Sequence, residues 1–316
     1  MAENNPEGKS SIKETWITIG SFDGVHIGHQ ELIKSLLEGS KRKGCNSIVV
    51  SFFPNPIVHL KDIEDPFYLT LPVEKDRILT KLGIDSVLTI SFDHTVSRLS
   101  PKNFISILHA RLKFTNLLIG YDFRLGADRT GGFSALEKIG QEMGFGVQKI
   151  KPLMLESQPV SSSRIRAAIT NGKLVTANTM LGYPYSITGH VIHGDGRGRN
   201  IGLPTANISI WKEKLLPKNG VYAAYAKLGE EKHPTVISIG LRPTFYDAPI
   251  ERTIEAHILN FSEQIYNKNL TIEFISRLRD EIKYESVAAL MEQVKKDIIK
   301  TKEILKSEPT QENLPS

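Results

Sequence analysis

At Pro184 the hydrophobic rhythm of the chain changes, and this change constrains the architecture more than any other feature. Before it, the short apolar runs "WITIG", "SIVVSFF", "SVLTISF", "NLLIGYDF" and "GVQKI" alternate with helical stretches. In "HQELIKSLLEGSKRKG", Leu32, Ile33, Leu36 and Leu37 share one face and Gly44 gives a C-terminal stop. "VEKDRILTKLG" and "SPKNFISILHARL" behave likewise, the second with Ser100 as cap and Pro101 in the first turn. A last helical pair, "SSSRIRAAITNG" and "LVTANTMLG", ends near Gly182. Strands alternating with helices predict a parallel sheet with crossover connections.

After Pro184, six runs succeed one another with turns between them and no helix: "YSITGHVIH", "TANISI", "GVYAAYAKL", "TVISIG", "TIEAHILNF" and "LTIEFISRLR". They predict an antiparallel sheet closed into a small six-stranded barrel. One helix follows, with Val287, Leu290, Met291 and Val294 on a stripe expected to pack on the core. The fold class is α/β plus all-β, with domains at 15–183 and 184–307 and polar, flexible tails expected at 1–14 and 308–316.

Composition narrows the function. The single cysteine, Cys45, excludes a disulfide framework and a thiolate-rich zinc site, and fits the reducing cytoplasm. No segment approaches the roughly 18 apolar residues of a membrane span, so no membrane partner is expected. The opening "MAENNPEGKSSIKE" lacks the hydrophobic core of a secretory signal. A net charge of +5 is spread over dispersed basic residues, which suits small anionic substrates and gives no nucleic-acid footprint.

The chemistry concentrates first in "GSFDGVHIGHQ", Gly20 to Gln30, on a strand-to-helix turn at the carboxyl edge of the predicted sheet. Open α/β sheets bind ligands at such edges. A helix N-terminus offers unpaired N–H groups, Gly28 removes a blocking side chain, and His26 and His29 can donate to phosphate oxygens. On residue types alone, a phosphate cradle, a structural turn and a metal clip all remain open, although the clip lacks further ligands.

The stretch resembles the HxGH signature of the nucleotidylyltransferase superfamily. In its GxFDGxHxGH form it is similar to the adenylyltransferase module of bacterial bifunctional riboflavin kinase/FAD synthetases. The resemblance implies a Rossmann-like nucleotidylyltransferase domain in which His26 and His29 are catalytic and Gly20, Phe22, Asp23 and Gly28 line the phosphate site. "GYDFRLG" resembles the family's GxDFRFG element, which implies adenine and ribose contacts by Asp122, Phe123 and Arg124. "VSSSRIR" is similar to ISSTRIR, which implies that Ser161, Ser162, Ser163, Arg164 and Arg166 hold pyrophosphate, as guanidinium forks match phosphate oxygens. "SFFPNP" stands where the family reads TFEPHP, with Phe53 and Asn55 as departures; Asn55 is the flavin-side candidate there.

A second constellation lies in "HGDGRGRNIGLPTANI". It is similar to the riboflavin kinase pattern GxxxGRxxGFPTAN, with Leu203 for phenylalanine. The resemblance implies ATP-phosphate contacts by Gly196, Arg197 and Gly198, and Mg²⁺ held by Thr205 and Asn207. "RTIEAHILNF" resembles VExHLLDF, which makes Glu255 the candidate base, with His257 on the same strand face by period two. Tyr246 departs from the family's PTFG turn, and Arg279 is a candidate flavin contact. The implied enzyme uses ATP, takes riboflavin to FMN in the barrel and FMN to FAD in the first domain. The competing readings are a chain with one active module, or a flavin- or RNA-binding regulator on a retired catalytic scaffold.

Overall fold

The structure, a computed structural model, describes residues 14–127, 130–194, 202–241 and 252–307. The chain divides into two compact units: one runs to Ile63 and from Thr70 to Val160, the other takes Glu64–Leu69 and the described chain from Ser161 onward.

In chain order the first unit holds β1 (Thr15–Ile19), α1 (Ile27–Lys43), β2 (Asn46–Phe53), α2 (Pro56–Lys61) and α3 (Pro72–Lys81). It continues with β3 (Ser86–Ser91), α4 (His94–Ser97), α5 (Pro101–Leu112), β4 (Phe114–Ile119), α6 (Phe133–Met143) and β5 (Gly146–Lys149). A small ribbon of β6 (Met154–Leu155) and β7 (Gln158–Pro159) closes it. The five main strands form one parallel sheet in the order β3-β2-β1-β4-β5. The winding reverses between β1 and β4, which creates the crevice where such sheets take ligands.

Strand alternation builds two cores. Ile17, Ile19, Val50, Phe52, Leu117 and Ile119 face α5 and α6, while Trp16, Val49 and Leu118 face α1 and α3. Every residue of β1 is buried, as a central parallel strand covered on both faces requires. Helix α1 approaches so closely at Gly39 that a Cβ there would lie 2.0 Å from the Trp16 ring. Helix α6 is an element the sequence reading does not name: it begins at Gly132 without a side-chain cap and carries Gly140 inside.

The second unit contains α7 (Ser162–Thr170), α8 (Leu174–Leu181), β8 (Ser186–Ile192), β9 (Ala206–Ile210), β10 (Gly220–Leu228), β11 (Glu231–Leu241), β12 (Arg252–Ile258), β13 (Asn269–Arg279) and α9 (Val287–Ser307). The six strands close into a barrel in the order β10-β11-β12-β9-β8-β13, all neighbours antiparallel, as the rhythm after Pro184 predicts. Helix α8 is tied to the barrel through Asn178, which donates to Phe274 O (2.9 Å) and accepts from Tyr185 N (2.8 Å). Residues 64–69 run with this unit as a strap: Phe67 and Tyr68 N–H groups donate to Glu213 O, and buried Lys214 donates to Leu69 O at 2.7 Å.

Helix α9 differs from expectation. Val287 is 58% exposed, and the buried residues are Asp297, Thr301 and Leu305 in its C-terminal half. The anchor is ionic. Arg279 meets Asp297 through two nitrogens at 2.7–3.1 Å, and Gln293 donates to the same carboxylate at 3.0 Å.

Candidate active sites

Gly20 still belongs to the sheet, its N–H donating to Val50 O at 3.0 Å. The turn that follows is sterically unusual: Phe22, Gly24 and Val25 have φ of 48°, 79° and 30°. For a β-branched residue such a value is an outlier that persists only where its surroundings over-determine it. They do so here. Val25 N–H donates to Phe22 O (3.1 Å), Gln30 Nε2 to Val25 O (2.9 Å), and Gly24 N–H to Thr70 Oγ1 (3.0 Å). Asp23 Oδ1 accepts from Thr70 N (2.9 Å) and Thr70 Oγ1 (3.2 Å). Asp23 is buried, so this carboxylate holds the turn from within.

The turn delivers His26 as the N-cap of α1, where its Nδ1 accepts from His29 N–H at 3.3 Å. An accepting Nδ1 puts the imidazole proton on Nε2, leaving a donor there. The rings of His26 and His29 stack at 3.7 Å, and Phe22 lies 5.0 Å from His29 on its ring centroid. A Cβ at Gly28 would sit 3.2 Å from His26 Nδ1, so the glycine gives the capping ring its room. Burial first, then the neighbouring His26 and Lys75, hold His29 well below the usual imidazole range. Among the described residues, His29 Nδ1 is buried and has no hydrogen-bond partner.

Lys75 and Thr70 are functional candidates that the sequence reading passes over. Lys75 is 5% exposed, and its ammonium donates to Ser51 Oγ (2.6 Å) and to Ser21 O (3.2 Å). It pins the turn to the tip of β2 and sets a cation near enough to His29 to disfavour its protonation. Burial pulls its pKa below the ordinary lysine value, opposed by Asp23 and Asp76. The sequence signal is a lysine four residues before buried Leu79, on the apolar stripe of α3.

Beside β1, strand β4 ends at Ile119 and leads into Asp122, Phe123 and Arg124. Asp122 and Arg124 are exposed, Phe123 packs back against the core, and Arg124 Nη1 donates to Phe123 O at 2.9 Å. Asn55 follows β2 and is 4% exposed; its side chain caps α2 by accepting from Ile57 N–H at 3.0 Å. The β1–α1 turn, the β4 loop and Asn55 therefore share the carboxyl edge of one sheet.

In the second unit, Ser161 caps α7, accepting from Arg164 N–H at 3.4 Å, with Ser162 and Ser163 in its first turn. Arg166 is engaged with the strap: Nε donates to Phe67 O (2.9 Å) and the guanidinium lies 3.7 Å over the Phe67 ring. Arg164 and Ser163 stand half-buried and exposed respectively.

The barrel brings Asn207 and Glu255 together. They are direct partners in the β9–β12 ladder, and Ser238 pairs with Glu255 from the other side. Directly opposed residues share a sheet face with Cβ atoms about 4.5–5.5 Å apart. Thr205 and Pro204 border a cavity of about 110 Å³, lined also by Ala256, Phe261 and Tyr266. The His193 ring stacks on Tyr266 at 3.9 Å. Arg279 lies three strands round the barrel from β12 in either direction, its guanidinium on Asp297. Gly196, Arg197, Gly198 and Tyr246 lie outside the described residues.

A doubly wound sheet with an imidazole pair at a helix mouth, joined to a barrel that opposes a carboxylate to a carboxamide, has the makings of a two-domain transferase acting on phosphate groups. The FAD synthetase family model matches residues 8–164, and the riboflavin kinase model matches residues 181–305. The chain is 37% identical over 291 residues to the bifunctional riboflavin kinase/FMN adenylyltransferase of Escherichia coli (strain K12), covering 91% of each. It is 38% identical over 282 residues to that of Listeria monocytogenes, covering 89% of each. A solved structure described as a macrolide-efflux protein from Streptococcus pneumoniae superposes with a TM-score of 0.84 at 28% identity, over 92% of this chain and 94% of that one. Among the described residues no helix is long and apolar enough to cross a membrane. The chain belongs to the bifunctional riboflavin kinase/FMN adenylyltransferase family.

Proposed function

We propose that the chain makes FAD from riboflavin in two separate steps, one in each sheet. The observation that carries the reading is the pairing of Asn207 with Glu255 in one sheet and the stacked His26–His29 pair at a helix N-terminus in the other. They suit two different acceptors.

In the first unit, a phosphate oxygen of FMN attacks the α-phosphorus of ATP, the new P–O–P bond forms, and the α–β bond breaks to release pyrophosphate. The second ionisation of a phosphate monoester lies near pH ~6, so the nucleophile needs no base. What the step needs is positioning and charge stabilisation. His26 Nε2–H, the His29 imidazole, the α1 N–H groups and the buried Lys75 charge provide it. A neutral His29 keeps its lone pair and its N–H both usable, which its depressed pKa secures near neutrality. Gly20, Phe22, Asp23 and Gly28 shape this turn and Asp122–Arg124 take the nucleoside; in the second unit, Ser161–Ser163, Arg164 and Arg166 form the family's pyrophosphate element.

In the barrel, the ribityl hydroxyl of riboflavin is neutral. Glu255 accepts its proton as the oxygen bonds to the γ-phosphorus of ATP and ADP leaves. The donor set fits Mg²⁺: Thr205 and Asn207 offer hard oxygens, and phosphates and water complete such a shell. The fit extends to the backbone, since a Cβ at Gly194 would fill the space beside the Asn207 carboxamide. Thr205 and Asn207 would hold the ion, which when bound neutralises phosphate charge. Arg279 serves the flavin by pinning α9, and Asn55 by shaping the loop after β2. In this reading the two activities divide at 183/184, and a single cysteine, Cys45, suits a reducing cytoplasm. Incubating the protein with riboflavin, ATP and Mg²⁺ and separating the flavins by chromatography should show FMN first and FAD next. Unchanged riboflavin would refute the reading.

A further inference from the structure

Two residues outside the expected sites bear on the limb that carries Thr205 and Asn207. The ladder of β12 with β9 is regular at Glu255–Asn207 and Ala256–Ala206 only, because β9 begins at Ala206. One step further along β12 stands His257, and its Nδ1 lies 2.9 Å from Pro204 O. A carbonyl oxygen only accepts, so Nδ1 carries the proton and the ring is fixed in that tautomer. Pro204 has no N–H with which to tie itself down. The imidazole thus extends the pairing by one residue past the end of the strand, directly across from Thr205.

Gly194 acts on the other flank. A Cβ built there would fall 2.0 Å from Asn207 Nδ2 and 2.6 Å from its Cγ, so any side chain at 194 would drive the carboxamide away. Ile192, two residues earlier, is the ladder partner of Asn207 in β8, which fixes this approach.

We propose that His257 and Gly194 are positioning residues for phosphoryl transfer. His257 fixes the Pro204–Thr205 limb, and Gly194 opens the space in which Asn207 lies opposite Glu255. This rests on the kinase reading of the barrel.

The test uses the full chain with His257→Phe, His257→Asn and Gly194→Ala. It reads riboflavin phosphorylation against Mg²⁺ concentration, Mg·ADP affinity by calorimetry, FMN adenylylation and Tm. Misplacing a reacting constellation by about 1 Å costs up to ~100-fold. His257→Phe and Gly194→Ala should therefore lower kinase turnover and weaken Mg·ADP binding by about tenfold to a hundredfold, with FMN adenylylation and Tm unchanged. His257→Asn keeps an N–H donor at the δ position and should recover most of the loss. Wild-type turnover and Mg·ADP affinity in the Phe and Ala variants would overturn the proposal. So would an Asn variant as impaired as Phe, or a joint fall of Tm and both activities, which marks a merely structural role. Failure of the unmodified chain to phosphorylate riboflavin would remove the kinase reading and this inference with it.

Discussion

In the proposed function the β1–α1 turn and the β9–β12 ladder each serve a nucleoside triphosphate, yet they are made of different material. The first is irregular backbone with three positive φ values, held from behind by Thr70, Asp23 and Lys75, all buried. The second is regular ladder, where register alone sets Asn207 against Glu255 and a glycine clears the space. On the proposed function the difference follows the acceptor. A phosphate that arrives ionised needs donors aimed at its oxygens, and a strained turn at a helix mouth concentrates them. An alcohol needs a carboxylate at a fixed distance, which strand pairing supplies without strain.

This contrast can be broken, beginning with the largest effect. Glu255→Gln removes the base and should slow FMN formation on the order of 10²–10⁴-fold, while supplied FMN is still converted to FAD. His29→Ala should lower FAD formation by about 10²–10³-fold and leave riboflavin phosphorylation intact, measured by separate assays of the two steps. Lys75→Met removes hydrogen bonds from a charged donor, worth about 1.5–3 kcal/mol. The expected result is roughly a tenfold loss of FAD formation with an unaltered kinase; equal loss in both would mean that Lys75 supports the whole chain rather than the turn.

The smallest effect is on stability against pH. Folded His29 sits below the ordinary imidazole value, whereas in the unfolded chain it titrates near ~6.5. As the pH falls, the unfolded state binds the proton first. The contribution is therefore full above about pH 6.5 and is lost as the pH drops through the folded value. Tm measured from pH 7.5 to 5.5 should decline less steeply in His29→Gln; parallel curves would deny the buried neutral imidazole.

The sequence is legible where chemistry is local. Gly44 in the left-handed region at the end of α1, Ser100 capping α5, and the six barrel runs are written in adjacent residues and strand periods. So is the placement of His26 and His29, because a strand followed by a glycine-rich turn and an amphipathic helix has few ways to fold. Contacts closed by distant segments are not legible. Thr70 reaches Asp23 across 47 residues, Lys214 takes a strap 145 residues away, and Arg279 finds Asp297 on α9. Of the α9 stripe, Leu290, Met291 and Val294 are half-buried and Val287 is exposed, while full burial comes further along, at Asp297, Thr301 and Leu305. Nothing in residue spacing announces a salt bridge as the site of burial.

Two independent sites imply that a molecule crippled in one can be served by a molecule crippled in the other. Glu255→Gln and His29→Ala proteins, each slow to convert riboflavin to FAD, should do so far faster when mixed, as FMN released by one is taken up by the other. Chromatography of the mixture should recover FAD at a rate that rises with the concentration of either partner. FMN accumulating without FAD in the mixture, while Glu255→Gln alone also fails on supplied FMN, would contradict the separation of the two sites.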